Sequence, residues 1–222
     1  MNGLPPGLSL NVGSGPCVAP DWVSLDASGQ VLLAGTSLAK AVAIVTGREV
    51  GHWPRGIWYR DVRKGLPFPD ASASIVYSSH FLEHLYRAEA VALVRDAYRV
   101  LKPAGVCRVV VPDLAAAIRD YSEGVRQARR GNSDRLMEAL HLGGREAPGR
   151  GPLAWYRRLT NFSTHKWLYD IDGLLALFAE GGFTSAVPCV FLESVIPAEH
   201  LRAVEQENRL ANGTGICVEA RK

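Results

Sequence analysis

The stretch from Ile75 to Asp113 constrains this chain more than any other. Its apolar start, Ser74 to Tyr77, has the length and β-branched content of a buried strand. Glu89 to Leu101 then sets Val91, Val94, Ala97, Tyr98 and Leu101 on one side of a helix, with Arg95, Asp96 and Arg99 elsewhere. Lys102-Pro-Ala-Gly105 stops that helix, because proline cannot continue it and glycine supplies a turn. The run Val106 to Val111 follows as a buried central strand. A strand, a helix and a second buried strand in this order predict a parallel pair with a crossover helix.

The same alternation extends to both sides. Leu8 to Val12 reads as a strand ending in a glycine turn, and Trp22 to Asp26 as a second strand ending on a carboxylate. The connection between them, Pro16 to Asp21, holds two prolines and is too short for a crossover helix. Helical spacing is predicted over Gly35 to Thr46, and Gly56 to Val62 reads as a third strand. Leu66-Pro-Phe-Pro-Asp70 is a stiff loop before the fourth. From Leu114 to about His165 the pattern changes to helical segments joined by a Gly/Pro/Arg loop, too long for a simple connection and read as an inserted cap over the site, at about 114–165. Asp172 to Glu180 resumes as a helix, and strands are expected near Val187 to Leu192 and Gly215 to Ala220. The whole, 1–222, reads as one α/β domain with a parallel sheet covered on both faces.

Several classes are disfavoured. The N-terminus lacks a basic leader with an apolar core, and the most apolar window, Val31 to Gly47, is interrupted by Thr36, Ser37 and Lys40, so a cytoplasmic protein with no membrane partner is expected. Cys17, Cys107, Cys189 and Cys217 form no CxxC pair, which argues against a zinc ribbon and for reduced, structural thiols. Net charge is +3, yet Arg119 to Lys166 carries ten Lys or Arg against five Asp or Glu. This basic excess suits an anionic small molecule, while the lack of basic-aromatic repeats disfavours nucleic acid.

The candidate chemistry gathers at strand ends. In Asn11-Val-Gly13-Ser-Gly15, two glycines let a turn approach a cofactor closely. Asp26, ending the second strand, can accept hydrogen bonds from ribose hydroxyls, and Asp61, ending the third, lies where a base edge would sit. In parallel sheets the carboxyl ends of the strands form the binding crevice. The full GxGxxG fingerprint is missing, and Gly15 to Asp26 spans 11 residues where a nicotinamide fingerprint expects roughly 20, which disfavours an oxidoreductase.

With NVGSGP, DWVSLD, PFPD, SSHFLEHL, AYRVLKPAGVCRVVVPDL and HKWLYDIDGLLALFAEGGF in this order, the chain resembles the class I S-adenosylmethionine-dependent methyltransferases, most closely the small bacterial, methyltransferase-11-like type. The resemblance implies a Rossmann-like, doubly wound, mainly parallel sheet and S-adenosyl-L-methionine as cofactor. By it, Gly13 and Gly15 border the methionine part, Asp26 the ribose, and Asp61 with Val62 the adenine, while Asn11, standing where an acidic residue is usual, can still accept a hydrogen bond from the cofactor. Ser78 and His80, taken to follow the fourth strand, would lie near the sulfonium and the acceptor. Asn11, Cys17, Ser74 and, mildly, Ala104 depart from the usual pattern, and the first three keep a non-catalytic binding or scaffold protein with this fold as an alternative.

Methyl transfer to a hydroxyl needs alignment and a proton acceptor. His80 and His165 are the candidate bases, since histidine titrates near neutrality. The cap, with Tyr121, Trp155, Tyr156 and Trp167, is read as a wall around a small-molecule or glycan-like acceptor; a nucleic-acid or protein acceptor is the variant that the basic cap motivates. His80-Phe-Leu-Glu83-His84 also matches the zinc-peptidase pattern HxxEH, which needs a helix and a further ligand. No metal is expected on that basis, and Glu83 and His84 are assigned to helix-start hydrogen bonding and packing.

Overall fold

A computed structural model describes residues 4–33, 53–142, 164–210 and 213–222, without the side chains of Gln30 and Leu33. Seven strands form one sheet: β1 (Leu8–Val12), β2 (Val23–Asp26), β3 (Ile57–Tyr59), β4 (Ala73–Ser79), β5 (Leu101–Pro112), β6 (Ala186–Cys189) and β7 (Gly215–Arg221). Their spatial order is β3-β2-β1-β4-β5-β7-β6. The first five run parallel, and β7 is antiparallel to both β5 and β6. Among the described residues the helices are α1 (Gly29–Leu33), α2 (Arg87–Val100), α3 (Leu114–Arg126), α4 (Asn132–Ala139), α5 (Ile171–Glu180) and α6 (Ala198–Leu201). The doubly wound, mainly parallel α/β expectation holds.

Strand alternation divides the core into two layers. On one face Leu10, Val12, Leu25, Val76, Cys107, Val109 and Val111 pack with Leu93, Val94 and Ala97 of α2 and Leu174, Leu177 and Phe178 of α5. On the other, Trp22, Ile75, Tyr77, Val106 and Val110 pack with Ile196, Leu201 and Val204. Covering both faces explains why β4 and most of β5 read as continuous apolar runs. The β1–β2 connection is a loop without a helix, as its prolines predict, and its Ala19 and Trp22 fill the second layer.

Some boundaries move. The third strand ends at Tyr59, so Asp61 lies beyond it and caps a 3-10 turn, Val62–Lys64, by accepting the Arg63 N–H. Leu101-Lys-Pro-Ala-Gly105 does stop α2, but it belongs to a long β5 whose register shifts against β4. Ala104 takes a left-handed φ of 65° there, while its N–H donates to the Lys222 carbonyl. The helix expected over Gly35 to Thr46 and the loop Gly143 to Pro152 lie outside the described residues. Of the expected cap, α3 and α4 are described and helical; Asp113 caps α3 through the Ala115 N–H.

The expectation of four reduced thiols is corrected. Cys189 and Cys217 are register partners on β6 and β7 and form a disulfide, with Cα atoms 5.2 Å apart. Two cysteines 28 residues apart in sequence give no local signal; only the antiparallel pairing of two late strands brings them together. Cys17 and Cys107 are free.

Candidate active site

β1, β2 and β4 run parallel, so their carboxyl ends open on one edge of the sheet. At the end of β1, Gly13 and Gly15 take φ values of 67° and 56°, a region side chains rarely adopt. Gly13 also has no room for one: a Cβ there would stand 2.1 Å from Cγ of Phe81. Gly15 is the opposite case, with open space where its Cβ would be. The N–H groups of Gly13 and Ser14 both donate to the Leu25 carbonyl, which holds the turn against β2. Asp26 completes it: one carboxylate oxygen accepts the Gly15 N–H at 3.0 Å, the other the Ser28 N–H at 2.7 Å. Burial raises the Asp26 pKa, opposed by the backbone N–H donors of Ser28, Gly15 and Ala27.

The other expected cofactor positions divide. Ser78 lies inside β4, one residue before its end, and its hydroxyl donates to the Val12 carbonyl at 2.9 Å, fastening β4 to β1. Asn11 is buried within β1, in register with Ser24 and Tyr77, short of the strand end. The Asp61 carboxylate is engaged by the Arg63 guanidinium at 2.8 Å, which lowers its pKa. Val62 is a core residue packed in the layer of Leu25 and Leu66. Gly13, Gly15 and Asp26 are thus brought together directly, whereas the Asp61 carboxylate is bound to Arg63.

The second half of the site is a histidine cluster just past β4. His80 follows the strand at a left-handed φ of 52°, held by its N–H to the Val110 carbonyl, and its Nδ1 is buried without a hydrogen-bond partner. Burial, and then the charge of Arg209, drive its pKa down to about 4, so the ring is neutral at pH 7 and can accept a proton. A 3-10 turn, Leu82–His84, replaces the α-helix that HxxEH requires. Glu83 is fully buried and neither carboxylate oxygen has a hydrogen-bond partner; burial raises its pKa to about 8. That corrects its assignment to helix-start hydrogen bonding.

His165 joins from the distant end of the cap segment. Its Nε2 lies 3.8 Å from Glu83 Oε1, and its ring meets those of His84 and His141 at centroid distances of 4.9 and 5.1 Å. Burial, then the neighbouring His84 and His141, lower its pKa to about 4. The segment that returns from the cap is pinned here: the N–H groups of Lys166 and Trp167 donate to the Glu83 carbonyl, and Lys166 Nζ to the His84 carbonyl. Arg209, from a turn before β7, donates to the carbonyl and hydroxyl of Ser79. Sequence reading missed Arg209 and His141, which have no motif around them, and undervalued Glu83. Tyr121 and Trp167 are exposed, and Trp155 and Tyr156 lie outside the described residues.

Residues 10–109 match the family described as "Methyltransferase domain" (Methyltransf_11), a span that runs from β1 through most of β5. This span of the chain is similar to S-adenosylmethionine-dependent methyltransferase domains. S-adenosylmethionine is the cofactor that this likeness implies, and the turn beside Asp26 has chemistry that fits it: open space at Gly15 and carboxylate oxygens able to accept further hydrogen bonds. The fold is similar to that of methyltransferase structures from Thermotoga maritima (13% identity, TM-score 0.49, covering 99% of this chain and 84% of that one) and Archaeoglobus fulgidus (14%, 0.48, 96% and 85%). A third, from Mesorhizobium loti, is 16% identical with a TM-score of 0.45, covering 98% of this chain and 94% of its own. No curated protein sequence matches the chain. Among the described residues, no helix is long and apolar enough to cross a membrane.

Proposed function

We propose that this methyltransferase acts on a hydroxyl oxygen of a small, glycan-like acceptor, with His80 as the proton acceptor. The observation that carries this reading is the buried, unpartnered Nδ1 of His80 at the end of β4. S-adenosylmethionine, when bound, supplies an electrophilic methyl group on its sulfonium. Gly13 and Gly15 leave its methionine part room against the backbone, and Asp26 holds the ribose; a carboxylate that already accepts two N–H bonds keeps lone pairs for two hydroxyls.

His80 takes up the hydroxyl proton as the oxygen is methylated, which a neutral imidazole can do and an imidazolium cannot. His165 stands in the same cluster as the alternative base. Arg209 supports an anionic group on the acceptor, since its guanidinium sits at the end of β4. The cap segment, about 114–165, would close over the acceptor and exclude water.

Two measurements test this. Calorimetric titration with S-adenosylmethionine should show saturable binding, weakened about 100-fold by Asp26→Ala, the loss of two charge-assisted hydrogen bonds at about 1.5 kcal/mol each. A panel of hydroxylated aromatic and sugar acceptors, scored by methylated product, should then give turnover that His80→Ala lowers by about 10²–10⁴-fold with cofactor affinity unchanged. Binding without turnover across oxygen acceptors, but with turnover on amines, would refute oxygen as the target.

A further inference from the structure

Glu83, His84 and His165 each offer one ligand atom, and the three atoms lie within 4.8 Å of one another. We propose that they form a binding site for a divalent first-row transition ion, of the zinc or iron(II) class. This set differs from the HxxEH pattern: His80 is not in it, and His165 comes from 81 residues beyond His84 in the chain.

Three observations support a built site. Glu83 is fully buried, and both its oxygens lack hydrogen-bond partners, a costly arrangement for a carboxylate that a cation would satisfy. The His84 Nδ1 lies 3.4 Å from the Thr164 carbonyl; donation there leaves the Nε2 lone pair free, the tautomer and outer support that metal-bound histidines use. Finally, the two segments that carry the ligands are tied by three hydrogen bonds from Lys166 and Trp167 to the Glu83 and His84 carbonyls, so the site is assembled before any ligand arrives.

The donor set is two imidazoles and one carboxylate, which selects zinc or iron(II) over magnesium or calcium. Metal–ligand bonds of about 2.1 Å would draw the donors to roughly 3.0–3.4 Å apart, from 3.8 Å between His165 Nε2 and Glu83 Oε1 and from within 4.8 Å across the set. The Lys166 ammonium donates to the His84 carbonyl and lies over the Tyr86 ring. Three protein ligands leave open positions, where an acceptor oxygen can be held and its proton made more acidic. This last role rests on the methyl-transfer reading; the metal site itself does not.

The test is calorimetric titration of tag-free, chelator-treated protein with zinc, without cofactor or acceptor, and the visible spectrum of the cobalt(II) form. One equivalent should bind, with affinity reduced at least 100-fold in Glu83→Gln and His165→Ala and unchanged in His200→Ala, whose ring lies against Trp22 outside the cluster. Glu83→Gln preserves size, and circular dichroism checks its fold. Absence of stoichiometric binding by folded wild type, or equal binding by Glu83→Gln, would overturn the site. Cofactor titration of the same samples separates the readings: loss of zinc with S-adenosylmethionine binding kept concerns the metal site alone.

Discussion

Arg108 is the most consequential charge in this fold away from the site. It sits in the middle of β5 with no exposed surface, and its guanidinium makes five hydrogen bonds: two to Glu205, one to Glu219, and one each to the Val190 and Glu193 carbonyls. Glu205 and Glu219 are themselves buried, so Arg108→Met strands two carboxylates along with two carbonyls. Removing one partner of a buried ion pair costs about 3–5 kcal/mol, mostly from the charge left behind. For a 222-residue chain with unfolding entropy of about 2.1 cal/mol/K per residue, each kcal/mol moves Tm by about 2 °C. Thermal unfolding followed by circular dichroism should therefore show a loss of about 6–10 °C. The decisive comparison is the triple variant Arg108→Met/Glu205→Leu/Glu219→Gln, in which no charge is stranded; it should recover more than half of the loss. A single-variant loss below about 2 °C, or a triple variant less stable than the single, would refute the argument that the stranded carboxylates carry the cost.

Three further outcomes are expected. Ala104→Gly should stabilise the protein by about 0.5–1 kcal/mol, because φ 65° strains alanine but not glycine; equilibrium urea unfolding reads this, and a destabilised variant would refute it. S-adenosylmethionine binding should weaken as pH falls through the raised pKa of Asp26, starting above the ordinary carboxylate range: the proton competes for the oxygen that ribose needs, so affinity is full above that pKa and lost below it. Asp26→Asn should bind weakly with a flat profile. Thiol titration in denaturant should find two free thiols before reduction and four after, matching the Cys189–Cys217 bond; four before reduction would contradict it.

The order of strands and the glycine turn were legible because both are written in neighbouring residues: the buried apolar runs of β1 and β4, proline in the β1–β2 loop, glycine at Gly13 and Gly15. Asp26 was legible for the same reason. What depends on long-range pairing was not. Arg108 interrupts an apolar run, and nothing near it indicates that Glu205 and Glu219 will meet it inside the core. Glu83 looked like a helix-start residue because Leu82–His84 precedes α2, yet the turn closes as a 3-10 segment and leaves the carboxylate unbonded. Asp61 was placed one strand-end too neatly; β3 is only three residues long, and the nearby Arg63 claims the carboxylate.

The contact of Phe81 with the vacant side of Gly13 has a consequence for how such a protein can change over evolutionary time. Phe81 adjoins His80 in sequence and Gly13 in space, so the residue that follows the proposed proton acceptor also forms the back of the turn proposed to hold the cofactor. A lineage that adapts to a new acceptor by altering the backbone after β4 would disturb cofactor geometry in the same step. Diversification should then fall on the separate contributors from the cap segment and the turn at Arg209, and a designer seeking new acceptors would begin with those positions and leave the phenylalanine in place.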